Sequence, residues 1–229
     1  MCKMNILGIE TSSAVCSVGL VNGLGLSIER NIIDPHIHSE KLLTLVEEVL
    51  RQAELESGDL DAVAVSIGPG SFTGLRIGLS SAKGLCYAHN TKLIAVSTFD
   101  AIVQAVNDSK PVSSVINIVI DAKQGEFYFG STDRRNNQDH SCMNVHARRL
   151  EEFHWLELSS NPTLWVTDRP EIIQGYGIPS AFVLGFSSFC KGDAVARLGI
   201  GKYNRNEFAD LASVVPMYLK EFIVKPAII

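Results

Sequence analysis

The chain contains no Cys-x-x-Cys pair. Its five cysteines (Cys2, Cys16, Cys86, Cys142 and Cys190) are scattered and odd in number, which argues against a zinc knuckle and a disulfide framework. Free thiols suit a reducing compartment, so a cytoplasmic location is expected. No apolar run reaches membrane-spanning length, and no membrane association is expected. The N-terminus enters an apolar strand almost at once, so no signal sequence is expected. Basic residues are not in excess: the formal net charge is −5 and the sequence pI is about 5.7. Affinity for nucleic acid comes largely from lysine and arginine on phosphates, so such a role would need a basic partner.

Further absences narrow the chemistry. A phosphate-binding P-loop needs Gly-x-x-x-x-Gly-Lys-Ser/Thr, but here Gly74 is followed by Leu75 and Arg76. There is no Gly-x-Ser-x-Gly elbow, and no histidine is positioned to activate Ser71. His36 and His38 alternate along an extended segment and point to opposite faces. His140, His146 and His154 are dispersed, with no ligand spacing. No metal site is expected.

What is present describes a globular protein. The chain has 229 residues, 46% hydrophobic and 20% charged, enough for one large domain or two lobes. The best linker is Asn107-Asp108-Ser109-Lys110-Pro111, dense in turn formers. It divides the chain into a first lobe, 1–108, and a smaller second lobe, 109–229. The final segment of the second lobe is expected to pack back on the first, with Tyr218 and Leu219 anchoring the tail.

In the first lobe, Asn5 to Glu10 reads as a buried strand. Thr11-Ser12-Ser13 makes a polar turn and Val15 to Val21 returns. Asn22-Gly23 signals a hairpin into a third strand over Leu24 to Arg30. Pro35 ends this region. Ser39 is the expected N-cap of a helix to about Glu54 whose apolar face holds Leu42, Leu43, Val46, Val49 and Leu50. Ala62 to Ile67 is an apolar strand, stopped by Gly68-Pro69-Gly70. Ser71 or Thr73 then caps a helix running to His89.

That helix has two stripes. Leu75, Gly78, Leu79, Ala82, Leu85 and Cys86 face the core, while Arg76, Ser80, Lys83 and Tyr87 form a polar row. Gly74, Gly78 and Gly84 each cost about 1 kcal/mol relative to alanine, so another backbone is expected close by. The chain's own sheet, a ligand phosphate and another protein are the three candidates. Leu93 to Val96 is the next strand, with Ser97 capping a helix through Phe99, Ile102, Val103 and Val106.

The second lobe opens in the same manner. Val115 to Ile120 is a strand, Asp121 to Gly125 a turn and Glu126 to Ser131 a second strand, which suggests a duplicated fold. Asp133 to His140 is a polar tip or loop. Leu164 to Thr167 and Ala181 to Leu184 are short strands, and Ser188 to Leu198 is helical. Consecutive hairpins with a hydroxyl-rich first turn are typical of the actin-like ATPase and sugar-kinase architecture, where that turn embraces nucleotide phosphates. A plain meander is the competing account. Asp121, at a strand end, suits the metal-side aspartate of such a kinase. A turn aspartate bonding its own backbone suits the position equally.

Taken together, several stretches resemble the TsaB (YeaZ) family. They are Ile6 to Ser13, His38-Ser39-Glu40 with Leu42-Leu43, the string Gly68 to Gly78, Ala82-Lys83-Gly84-Leu85, Val96-Ser97, Asp121-Ala122 with Gly125-Glu126 and Tyr128, and Pro216 to Lys220. The match is dense over 5–128, faint across 130–180, and returns at the C-terminus. Glu10 stands in place of a common aspartate and Lys220 in place of a common arginine.

The resemblance implies a two-lobed α/β fold of the actin-like ATPase, sugar-kinase and Hsp70 (ribonuclease H-like) type. It implies a non-catalytic subunit of the machinery forming N6-threonylcarbamoyladenosine at tRNA position 37. Its partners would be the catalytic sister TsaD, the ATPase TsaE and, through the complex, tRNA. The catalytic sister carries two histidines four apart, and the matching positions here are Thr98 and Ile102, so neither metal-dependent transfer nor the peptidase M22 (glycoprotease) activity of older names is expected.

The resemblance also implies a homodimer when the chain is alone, through helices at about 39–54 and 72–88. Its interface residues would be Leu42, Leu43, Val46, Ser71, Phe72, Thr73, Gly74, Arg76, Ile77, Gly78 and Lys83, with Gly74 and Gly78 admitting a facing helix. No cofactor is required. The alternative is an ATP-dependent phosphotransferase holding ATP or ADP with magnesium at Thr11, Ser12, Gly68, Gly70 and Asp121, positions that are otherwise vestigial.

Overall fold

The computed structural model describes residues 4–34, 36–109, 115–133, 143–153 and 163–219. Cys2, Pro35, the linker residues Lys110 and Pro111, most of the polar loop after Asp133, His140, Cys142, His154 and Lys220 lie outside the described residues.

The first sheet is ordered β3-β2-β1-β4-β5, from β1 (Asn5–Glu10), β2 (Val15–Asn22), β3 (Ser27–Ile33), β4 (Ala62–Ser66) and β5 (Lys92–Val96). β1 runs antiparallel to β2 and parallel to β4. Both β1 and β4 are buried along their whole length, as their unbroken apolar character requires. Leu7, Ile9, Val18, Leu20, Val63 and Val65 share a core cluster with α1 (His38–Gln52) and α2 (Phe72–His89). Ile6, Ala62, Ala64 and Ile94, on the other face, meet the last helix among the described residues.

Two local expectations are corrected. The third strand starts at Ser27, not Leu24, because the Asn22 side-chain oxygen accepts from the amides of Leu24 (3.0 Å) and Leu26 (2.9 Å) and draws residues 23–26 into the turn. α1 starts at His38 after Ile37 with no side-chain cap, so Ser39 sits inside the first turn. His38 is buried with Nε2 3.3 Å from the Val15 carbonyl, while His36 is exposed.

α3 (Thr98–Ser109) follows β5, and the Ser97 hydroxyl accepts from the Asp100 amide at 3.4 Å. The helix includes Asn107 to Ser109, three residues of the expected linker.

The second sheet is ordered β10-β9-β6-β7-β8. Its strands are β6 (Val115–Asp121), β7 (Glu126–Asp133), β8 (Met143–Arg149), β9 (Thr163–Thr167) and β10 (Val183–Gly185). β6 is antiparallel to β7 and parallel to β9. Each sheet therefore begins with a hairpin whose first strand also pairs in parallel with a later one. α4 (Pro170–Gly175) begins on a proline and follows β9. The expected strand over Ala181 to Leu184 is a 3₁₀ turn at Ser180–Phe182 followed by β10. The expected helix from Ser188 is a 3₁₀ turn at Phe186–Phe189, then α5 (Gly192–Asn204).

The sheets fall on either side of residues 108 and 109, but two helices are exchanged. α3, from the first half, gives Phe99, Ile102, Val103 and Val106 to a cluster with Ile116, Ile118 and Leu164 of the second sheet. α5, from the second half, lies on the first sheet with Val195 and Ala196 against Ile6 and Ala64. The approach is backbone to backbone: a Cβ on Gly8 would start 2.0 Å from the Gly192 carbonyl oxygen. The chain then returns along the first lobe, where Ala209 donates its amide to the Leu93 carbonyl (2.8 Å) and Met217 to that of Ile67 (2.7 Å).

Candidate functional site

The two hairpin turns and the start of α2 enclose a cleft of about 430 Å³ between the lobes. Ser12, Ser13, Gly70, Ser71 and Phe72 line it from the first lobe, and Asp121, Lys123, Tyr128, Asp168 and Ser187 from the second. Four of the five expected nucleotide positions thus bear on this region: Ser12, Gly70 and Asp121 line it, and Thr11 lies beneath. Gly68 faces away, toward the Met217 carbonyl.

The first turn is filled by its own chain. The Ser71 hydroxyl caps α2, accepting from the Gly74 amide at 3.3 Å. The Ser71 amide donates to the Ser12 carbonyl at 2.7 Å. The Thr11 hydroxyl donates to the Gly74 carbonyl at 2.9 Å. A Cβ on Gly74 would start 2.1 Å from the Thr11 carbonyl oxygen, and one on Gly78 2.2 Å from the Thr11 hydroxyl.

These glycines therefore admit Thr11, correcting the expectation that they open α2 to a partner helix. Leu42 and Val46 are likewise buried in the first lobe's own core, and neither presents a side chain to a partner. Of the other expected interface positions, Leu43, Ser71, Thr73 and Arg76 are exposed, while Phe72, Ile77 and Lys83 are half-buried.

The polar row of α2 meets the returning C-terminal segment. The Arg76 guanidinium lies 3.8 Å from the centre of the Phe72 ring, and its Nε donates to the Tyr218 hydroxyl at 3.0 Å. Tyr218 packs on Phe72 with ring centres 5.4 Å apart. Lys83 contributes to holding the Asp210 carboxyl low, after the hydrogen bonds from Ser213 and Ala212.

Beneath the turn, Glu10 is fully buried and its Oε1 accepts from the Ser12 amide at 2.7 Å. Burial pushes its carboxyl upward, against the nearby Ser12 and Ser66 groups. The Val15 amide is taken by the Ser13 hydroxyl at 3.0 Å. The turn's amides at Ser12 and Val15 are thus spent inside the chain, as is the Ser71 amide.

Across the cleft, Asp121 Oδ1 accepts from the Lys123 amide (2.7 Å), and Oδ2 pairs with Lys123 Nζ (3.4 Å) and Arg169 Nη1 (3.1 Å). Burial works to raise its carboxyl, but the Lys123 amide and ammonium and the Arg169 guanidinium outweigh it and hold it low. Asp168 accepts the Asp121 amide at 3.0 Å. Burial pushes its carboxyl up, against that hydrogen bond and with the Asp121 charge adding to the rise.

Among the described residues no group of three or more His, Cys, Asp or Glu could hold a metal ion. Thr98 and Ile102 are buried, and the Thr98 amide donates to the Gly68 carbonyl at 2.9 Å. Cys16, Cys86 and Cys190 are buried free thiols. Among the described residues no helix is long and apolar enough to cross a membrane.

Sequence reasoning missed Lys123, Asp168 and Arg169. The usable signal was position: Asp168 directly follows β9, and in α/β sheets ligand groups gather outside the carboxyl ends of parallel strands.

A family model described as "TsaD: tRNA N6-adenosine threonylcarbamoyltransferase" matches residues 34–169. The Haemophilus influenzae protein named tRNA threonylcarbamoyladenosine biosynthesis protein TsaB is 31% identical over 160 residues, spanning 70% of this chain and 64% of that protein. The Escherichia coli protein of the same name is 34% identical over 134 residues, 58% of this chain and 57% of that one. These matches reach rather under two thirds of both relatives. The Bacillus subtilis TsaB is 28% identical across 95% of this chain and 94% of its own. Among solved structures, YeaZ from Pseudomonas aeruginosa superposes with a TM-score of 0.81 at 21% identity, covering 94% of this chain and 100% of that one. The two mixed sheets flanked by helices are the two-lobed, actin-like fold.

Proposed function

Because the chain belongs to the TsaB (YeaZ) family within the TsaD-type fold, we propose that it is a non-catalytic docking subunit of tRNA threonylcarbamoyladenosine biosynthesis. In this proposal it supports a TsaD-type transferase and a TsaE-type ATPase in the cytoplasm, meets tRNA only through the complex, and pairs with itself when alone. The exposed side of α1 and α2, with Leu43, Ser71, Thr73 and Arg76 exposed and Lys83 half-buried at its margin, is the surface offered to partners.

The observation that carries the proposal is the plugged first turn. A turn that embraces phosphate must leave amides free. Here Ser12 N–H is bound by Glu10, and the Ser12 carbonyl by Ser71. Asp121, the expected metal-side carboxylate, is already paired with Lys123 and Arg169. The bound Ser12 amide and the paired Asp121 both count against a magnesium nucleotide as part of this function.

The deciding experiment is co-purification with the TsaD-type and TsaE-type proteins, followed by assay of the modified adenosine with and without this chain. Modification that depends on the chain supports the proposal; modification unaffected by its omission overturns it. A phosphotransferase is the second reading, favoured by the cleft volume and by Lys123 at its wall. Calorimetry of the chain with ATP and magnesium separates the two: micromolar binding with phosphate release by the chain alone supports the phosphotransferase.

A further inference from the structure

The glycine turn at 68–70 is held from two sides. On the cleft side the Ser71 amide donates to the Ser12 carbonyl at 2.7 Å. On the far side the Met217 amide donates to the Ile67 carbonyl, also at 2.7 Å. A Cβ on Gly68 would start 3.0 Å from the Met217 carbonyl oxygen, and Gly68 holds φ at +124°. The position therefore combines a backbone conformation that side chains rarely adopt with close contact to the C-terminal segment.

The next residue of that segment, Tyr218, packs on Phe72 with the rings tilted by 41° and is hydrogen-bonded to Arg76. Phe72 also lines the cleft. The segment is otherwise thinly attached: of residues 209–218 only Pro216 is buried, and its other ladder-type contact is the Ala209 amide on the Leu93 carbonyl. Leu211 and Val214 pack only partly on the core. A segment with few buried apolar contacts and few backbone hydrogen bonds opens far more readily than the whole protein unfolds.

We propose that residues 209–218 are a strap, latched by Tyr218 on Phe72 and Arg76, whose seating keeps the glycine turn clamped on the first turn and so limits the width of the cleft. Lifting Tyr218 removes the Met217 support from Ile67 and Gly68. The turn then gains room to withdraw Ser71 from Ser12, and the cleft wall that they form loosens. The inference concerns access to the cleft and stands whether or not α2 is a docking face.

The test is residue-resolved amide hydrogen exchange on the full chain and on Tyr218→Ala and Tyr218→Phe. In Tyr218→Ala the Met217 and Ser71 amides exchange faster together, by about tenfold, the size expected for losing a packed aromatic pair. The Val65 amide, inside β4, is unchanged. Tyr218→Phe keeps the ring packing and shows the smaller change. Faster exchange at Met217 with Ser71 unchanged overturns the coupling, and no change at either amide overturns the latch. A second readout is thiol labelling of Ala122→Cys, a buried position on the cleft wall, measured against the chain without that substitution. Labelling accelerates when Tyr218→Ala is added, and an unaltered rate overturns the link to the cleft.

Discussion

The Thr11 hydroxyl donates to the Gly74 carbonyl at 2.9 Å, and the Thr11 carbonyl oxygen lies 2.1 Å from where a Gly74 side chain would begin. The pair joins the first turn of the molecule to the first turn of α2. It makes Gly74 and Gly78 a requirement of the monomer's own packing, whereas at Gly84, where a close backbone was also expected, a Cβ would meet nothing within 4 Å.

Two opposing effects decide what alanine does there. Replacing a helical glycine gains about 1 kcal/mol of propensity, while forcing a methyl into a filled site costs about 1–3 kcal/mol. At Gly74 the obstacle is a backbone oxygen, which cannot swing away, so Gly74→Ala is expected to be destabilising. At Gly78 the nearest atom is the Thr11 side-chain oxygen, which can rotate, so Gly78→Ala is the milder change. Urea denaturation of both variants checks the order, and a Gly74→Ala protein as stable as the parent contradicts the plug.

Thr11→Val keeps the shape and loses the hydroxyl. The expected cost is about 1 kcal/mol, the net value of one hydrogen bond, with Thr11→Ser close to neutral. Equal stability of all three proteins in chemical denaturation counts against the Thr11–Gly74 contact.

Glu10 gives a pH dependence with a defined sign. Burial raises its carboxyl above the ordinary 4.5, so the folded chain binds the proton more tightly than the unfolded chain. Stability therefore falls as pH rises from 4.5 through the raised value, and the full penalty is present above it. Glu10→Gln keeps an acceptor for the Ser12 amide and removes the titration. It should be at least as stable as the parent at neutral pH and flatter across that window. Denaturation midpoints against pH measure this, and an undiminished slope in Glu10→Gln assigns the dependence elsewhere.

Leu43 is 54% exposed on α1 and Tyr87 is 85% exposed on α2. Leu43→Asp and Tyr87→Ala should leave stability within about 0.5 kcal/mol, as surface changes usually do. Under the docking proposal they weaken self-association, read by sedimentation, and capture of the TsaD-type partner. Unaltered association in both variants moves the docking surface away from this side of the lobe.

The elements most legible in the sequence were those whose burial is uniform or strictly periodic. β1 and β4 are buried on both faces, and α2 shows its core stripe at Leu75, Leu79, Ala82 and Cys86. β8 was missed although Met143, Val145 and Ala147 alternate with Asn144, His146 and Arg148, the period of a half-buried strand. The glycine stripe was visible but its neighbour was not: periodicity reports which face is crowded, not what crowds it. The candidate cleft was half legible for the same reason. Thr11, Ser12 and Asp121 sit at strand ends, whereas Lys123 and Arg169 reach Asp121 only once the second sheet has brought 121 and 169 together.

The exchanged helices bear on how the molecule can be divided. α3 is encoded before the junction but carries Phe99, Ile102 and Val103 for the far sheet, and α5 is encoded after it but covers the near one. A chain split at the junction would leave each fragment with a bare sheet face and an orphan helix. Neither fragment would be soluble by itself, and mixing the two would restore the structure by complementation. The lobes are thus two in architecture and one in cooperativity, melting in a single transition.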